Sequence, residues 1–163
     1  MTLTRSIRAA IVVLALATVA APALAGEREV AYLQSLAGTW SGKGRITGAE
    51  AGTVTCRLTL RPSGERLNFN GRCAMSGGSV PQSFSGSIRY NDKKGVYESS
   101  SQGRTVAGKK SGSSLVFTTS MSDMRGRGTS TMTMSPDAIK VQFKMVNGRT
   151  GEASQGSIPF TKR

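Results

Sequence analysis

The chain has 163 residues, with 22 Lys and Arg against nine Asp and Glu, a formal net charge of +13, two cysteines and no histidine. Losing histidine removes the commonest general base and the commonest metal ligand together. The acids are dispersed without a DxD or ExxE pair, and neither a Gly-x-Ser-x-Gly elbow nor a phosphate loop occurs. No constellation proposes catalysis. The expectation is a protein that is not an enzyme, takes no cofactor and holds no metal.

Residues 1–25 read as a cleaved signal peptide. Arg5 and Arg8 form a positive opening, residues 9–20 an apolar run, and Ala23-Leu24-Ala25 sets small residues before a cut ahead of Gly26. The run falls short of the roughly 18–20 apolar residues of a membrane span, and Pro22 breaks the helix. The product is expected in the periplasm or outside the cell, with residues 26–163 forming one domain. Cleavage takes two basic residues, leaving a balance of +11 that favours anionic partners. In that compartment these are an anionic envelope component or an acidic protein; nucleic acid is not expected there. Local basic clusters occur at Lys93-Lys94, Lys109-Lys110 and Arg125-Gly126-Arg127.

Helical periodicity appears over residues 27–36, where Val30, Leu33 and Leu36 share a face. From Gly38 onward apolar and polar residues alternate between Gly, Ser, Asn and Asp punctuation, the pattern of short strands at hairpin spacing. Strands are expected at 39–46, 53–61, 66–75, 82–90, 95–100, 103–109, 114–121, 128–135, 138–146 and 152–161. The fold class is therefore all-β: an antiparallel up-and-down barrel of about 8–10 strands with a short N-terminal helix, closed because closure removes the edges. An integral outer-membrane barrel is a poor fit, because the expected outward positions are Arg, Lys, Thr and Ser.

Three hairpins have an arguable register. Centring the first turn between Gly64 and Glu65 sets Leu60 against Phe69, Leu58 against Gly71 and Cys56 against Cys73, and a one-residue slip would turn Leu67 and Phe69 outward. In an oxidising compartment Cys56 and Cys73 are then expected to form a structural disulfide. A turn at Ser111-Gly112 sets Val106 against Phe117 and Gly108 against Leu115. The Ser135-Pro136-Asp137-Ala138 turn sets Met134 against Ile139, Met132 against Val141 and Ser130 against Phe143. Around residues 91–95 the pattern leaves open whether Val96 or Tyr97 faces inward.

A helical turn leading into Leu36-Ala37-Gly38-Thr39-Trp40-Ser41-Gly42-Lys43-Gly44 resembles the opening of calycin-type barrels, the lipocalins and fatty-acid-binding proteins, and most of all their nitrobindin-like branch. The resemblance implies that Trp40 packs across one end of the barrel beneath a basic residue of the last strand, Lys162 or Arg163. Nitrobindin-like proteins hold haem through a late histidine, and this chain departs from that pattern by having none.

Met121, Met124, Met132, Met134 and Met145 invite a copper reading, since thioethers are soft ligands. Alternation instead places Met132, Met134 and Met145 inward beside Ile139, Val141 and Phe143, where methionine fills a core or lines a pocket. The favoured function is a non-enzymatic exported barrel binding a small apolar or amphipathic ligand, lined by Trp40, Phe69, Met75, Phe84, Ile88, Phe117, Met132 and Phe143. The alternative is an envelope interaction module, either an inhibitor of an envelope hydrolase or a binder of anionic envelope components, acting through the basic exterior.

Overall fold

The computed structural model describes residues 25–76, 81–124 and 126–163. The expected signal peptide through residue 24, and Arg125 of the third basic cluster, lie outside the described residues. A helix, α1 (Ala25–Ser35), leads into ten strands: β1 (Gly38–Gly48), β2 (Gly52–Ser63), β3 (Arg66–Met75), β4 (Gln82–Asn91), β5 (Val96–Ser101), β6 (Arg104–Ser111), β7 (Ser114–Asp123), β8 (Gly126–Met134), β9 (Ala138–Asn147) and β10 (Ala153–Lys162). Each pairs antiparallel with the next and β10 returns to β1, so the meander closes into a barrel. The strands expected from alternation all form, with ends displaced by no more than two residues.

Alternation works as the period of a strand requires. In β2, Val54, Cys56, Leu58 and Leu60 are buried while Thr55, Arg57 and Arg61 are exposed. The first hairpin has the expected register, and Cys56 and Cys73 are joined in a disulfide with their Cα atoms 4.1 Å apart. The β8–β9 hairpin also pairs as expected. Around residues 91–96 the open choice resolves with Tyr97 inward and buried.

The β6–β7 hairpin departs from expectation. Gly108, not Val106, faces Phe117, and Ser111 faces Ser114, so the turn is Gly112-Ser113. Gly112 has φ 59°, the left-handed first position that suits glycine in a two-residue hairpin. A shift of two leaves every side chain on its own face, so alternation could not detect it.

The reason for the shift is a rule that runs through the barrel. All five phenylalanines lie directly opposite a glycine: Phe69 faces Gly86 and Phe84 faces Gly71 across β3–β4, Phe117 faces Gly108, Phe143 faces Gly156, and Phe160 faces Gly42. A Cβ placed on any of these glycines would overlap the facing ring. Each ring therefore lies along the wall, over a neighbouring strand that has no side chain there.

Helix α1 plugs one end. Glu29, Tyr32, Leu33 and Leu36 recur at helical spacing, so the inward stripe includes Leu33 and Leu36 as expected but is completed by Glu29 and Tyr32; Val30 is only partly buried. Leu33 and Leu36 are fully buried among Trp40, Leu60, Leu67, Ile88, Leu115, Met134 and Ile139. Trp40 Nε1 donates to Leu36 O (3.2 Å), and Lys162 Nζ donates to Ser35 O (3.2 Å) while lying 5.3 Å over the Trp40 ring. Of the two basic residues that the resemblance suggested above Trp40, Lys162 takes the position. Gly38 has φ 140°, and a Cβ there would run into the Lys162 stem, which accounts for glycine two residues before the tryptophan.

The ring-over-glycine rule makes a graded prediction. Gly108→Ala presses on Phe117, which is buried and has nowhere to go, and should cost about 1–3 kcal/mol as overpacking. Gly71→Ala presses on Phe84, which is only half-buried and can swing away, so its cost should be clearly smaller. Urea titration of both variants measures the difference; equal costs would contradict it.

Candidate functional site at the open end of the barrel

The inner face divides into two halves. Toward α1, apolar side chains are sealed from solvent. Among the described residues no helix enters the opposite end, and inward side chains of the same chemistry are only partly buried there. The eight residues read from the sequence as a lining all point inward, but they divide between these halves. Trp40 (0% exposed), Ile88 (1%) and Phe117 (4%) belong to the sealed core. Phe69, Met75, Phe84, Met132 and Phe143 are only partly buried and pack against that core.

Strand order places this second group on facing walls. In a ten-stranded ring β3 lies across from β8 and β4 across from β9, so Phe69 and Met75 stand on the wall opposite that of Met132, and Phe84 on the wall opposite that of Phe143. Phe69 and Phe84 form a tilted pair with centroids 6.4 Å apart. Val106 and Val141 add to the same half. At the rim Met121 and Met145, each 49% exposed, flank Gly128 in one cross-strand row. Met121 and Val106 were left out of the expected lining, Val106 although it was set against Phe117, because β6 and the far half of β7 are rich in Ser, Thr, Gly and Lys and alternate weakly. Register also brings hydroxyls inward, Thr119 beside Ser130, while Ser99 stands beside Ile88 of the sealed core. The open half is thus apolar with scattered hydroxyls.

Polar contacts lock the sealed end. Tyr32 Oη points at Ser113 O (2.9 Å) and Met134 O (3.0 Å), and Tyr97 Oη donates to the Glu29 carboxylate. Lys110 Nζ is 3.6 Å from Glu29 and 4.4 Å from the Tyr32 ring centroid. Burial, followed by the hydrogen bond to Glu29, pushes the Tyr97 hydroxyl far above the usual tyrosine range. Burial likewise raises Tyr32.

On the outer wall Glu98 is 5% exposed, covered by its own partners rather than by a core. Arg89 donates to it from Nε (3.1 Å) and Nη2 (2.7 Å), Asn91 from Nδ2 (2.9 Å) and Lys94 from Nζ (3.0 Å). The Lys94 and Arg89 bonds lead in lowering its carboxyl to about 2. Two of the expected basic clusters are therefore partly neutralised, Lys94 by Glu98 and Lys110 by Glu29. The rest of the outer face is polar and basic while the inner face is apolar, the reverse of a lipid-facing barrel. No helix among the described residues is long and apolar enough to cross a membrane, and they contain no cluster of three or more His, Cys, Asp or Glu placed to hold a metal.

No protein-family profile matches the chain, and no curated protein matches it by sequence. Solved structures do share the fold. Rv2717c from M. tuberculosis superposes with a TM-score of 0.58 at 10% identity, over 82% of this chain and 96% of that one. The S-type phycobiliprotein lyase CPES from Guillardia theta superposes with a TM-score of 0.57 at 8% identity, over 82% of this chain and 91% of that one. These likenesses show the barrel at the level of fold. They also correct the expectation that the protein is not an enzyme. A barrel of this shape is a lyase in the Guillardia theta protein, so missing motifs do not make such a barrel non-catalytic; positioning a bound molecule is itself a catalytic resource.

The Glu98 cluster gives a pH prediction. Its folded carboxyl ionises well below an unfolded glutamate, so its stabilisation is complete above the ordinary glutamate range and is lost as pH falls from that range toward about 2. Urea midpoints measured across this interval should fall for the wild type, and less steeply for Glu98→Gln. Parallel slopes would contradict the assignment.

Proposed function

We propose that residues 1–25 direct export and that residues 26–163 then act as one calycin-type barrel that takes a small apolar or amphipathic ligand into its open half. One observation carries the reading: Phe69, Met75, Phe84, Met132 and Phe143 point inward from facing walls yet stay partly exposed, while the same face at the other end is sealed by α1. Apolar surface left in water inside a concave wall favours an apolar guest by about 25 cal/mol for each Å² covered. Flexible thioethers at Met75, Met121, Met132 and Met145 suit guests of varied outline. The inward hydroxyls at Thr119 and Ser130 offer partners to a polar end. The disulfide supports export, since such bonds persist in oxidising compartments.

Two truncations test the reading. Phe117→Ala empties sealed core and should cost about 3–5 kcal/mol, leaving binding of an apolar fluorescent probe unaltered in whatever protein remains folded. Phe143→Ala should cost clearly less and should weaken probe binding. Equal destabilisation by both, with no probe bound by the wild type, would contradict an open half.

A further inference from the structure

On the outer wall, away from the proposed ligand space, the strands β8, β9, β10, β1 and β2 form a continuous surface without a single Asp or Glu. Of the nine acids, only Glu98 and Asp123 lie within strands; β5, which carries Glu98, stands across the barrel from β10. The outward positions of this wall carry Lys43, Arg45, Arg57, Arg61, Lys140 and Lys144. Glu50 and Glu152 belong to the rim turns beyond it. Across β8–β9–β10–β1 the wall is hollowed into an open depression of about 610 Å³. Register explains how it is assembled: Arg45 pairs with Ser157, Ser157 with Gln142, and Lys144 with both Gln155 and Thr129. Residues a hundred positions apart thus become neighbours. Arg45 and Lys144 are exposed and, among the described residues, take part in no ion pair or side-chain hydrogen bond.

We propose that this depression is a binding site for an anionic glycan. Arg45 and Lys144 supply the charge, meeting carboxylate, sulfate or phosphate substituents with charge-assisted bonds. Gln142, Gln155, Thr129 and Ser157 offer donors and acceptors together, as sugar hydroxyls require. Other anions fit less well. A protein interface needs buried aromatic or aliphatic anchors, and outward positions 140, 142, 144, 155 and 157 have none. A bilayer needs apolar groups to insert, and single-stranded nucleic acid needs aromatic rings to stack on; outward positions 45, 129, 142, 144, 155 and 157 of the depression offer neither. Its charged, amide and hydroxyl side chains lie on the opposite face of the strands from the interior ligand, and the inward-pointing Phe143 and Gly156 border the depression where the wall is thinnest in side chains.

Binding is tested with two anionic oligosaccharides, one sulfated (heparin-derived) and one carboxylated (oligogalacturonate), at physiological salt. Arg45→Glu with Lys144→Glu should weaken the bound glycan by about tenfold or more, the scale of one or two charge-assisted bonds. Lys93→Glu with Arg104→Glu, an equal change in net charge placed in the β4–β5 turn and on β6, should have a much smaller effect. Gln142→Ala with Gln155→Ala should also weaken binding without altering charge. Unchanged thermal midpoints establish that the variants fold. Equal loss in both charge-reversal pairs would reduce the effect to net charge and overturn the proposal. So would the absence of binding to either glycan, indifference to the glutamine changes, or tighter binding to anionic phosphatidylglycerol vesicles or to single-stranded DNA than to both glycans.

Discussion

Ten strands enclose more space than side chains projecting from the wall readily fill, and this chain meets that problem by laying each phenylalanine over a glycine of the adjacent strand. The pairing has two consequences. It fixes register, because a ring opposite a Cβ would clash, so hairpins that alternation leaves ambiguous by two residues have one arrangement that fits. It also turns aromatic bulk along the wall instead of toward the axis. Phe117 and Phe160 are buried, whereas Phe69, Phe84 and Phe143 pack against the core and stay partly exposed.

What fills the axis at one end is α1 with Trp40. Leu33 and Leu36 supply the apolar plug, and Tyr32, Glu29 and the Leu36 and Ser35 carbonyls tie it to Trp40, Tyr97, Lys110 and Lys162. The helix buries one face and reaches one end only. The asymmetry of the barrel, sealed below and open above, follows from the length of that plug together with rings that hug the wall. The same asymmetry supports the ligand reading, and it explains why residues of identical chemistry, such as Met134 and Met132, differ in exposure.

Much of this was legible in the sequence, because alternation at period two reports faces directly. It gave the ten strands, the facing cysteines and the inward set. It could not report depth along the barrel, so Trp40, Ile88 and Phe117 were grouped with residues of the open half although they seal the core. Nor could it see the Gly108–Phe117 pairing, which depends on a ring and a glycine meeting rather than on parity. The basic clusters misled for a related reason. Adjacent lysines in sequence alternate between faces or meet acids, as Lys94 meets Glu98, whereas the acid-free wall arises from residues that only register makes neighbours. The inference from missing catalytic motifs to a non-enzyme failed because motif absence tests known arrangements of side chains, and a lyase shares this barrel.

The central claim is that the interior is closed at the α1 end and receives a guest at the other. The methionines are placed to report on it: Met134 is 1% exposed in the sealed half, whereas Met75, Met121, Met132 and Met145 ring the open half. Methyl-labelled methionine spectra recorded during titration with a medium-chain fatty acid, kept below its micelle concentration, read both halves at once. The account predicts saturable shifts at Met132 and Met75, smaller ones at the rim residues Met121 and Met145, and none at Met134. Shifts confined to the fully exposed Met124, or a Met134 response without one at Met132, would contradict it.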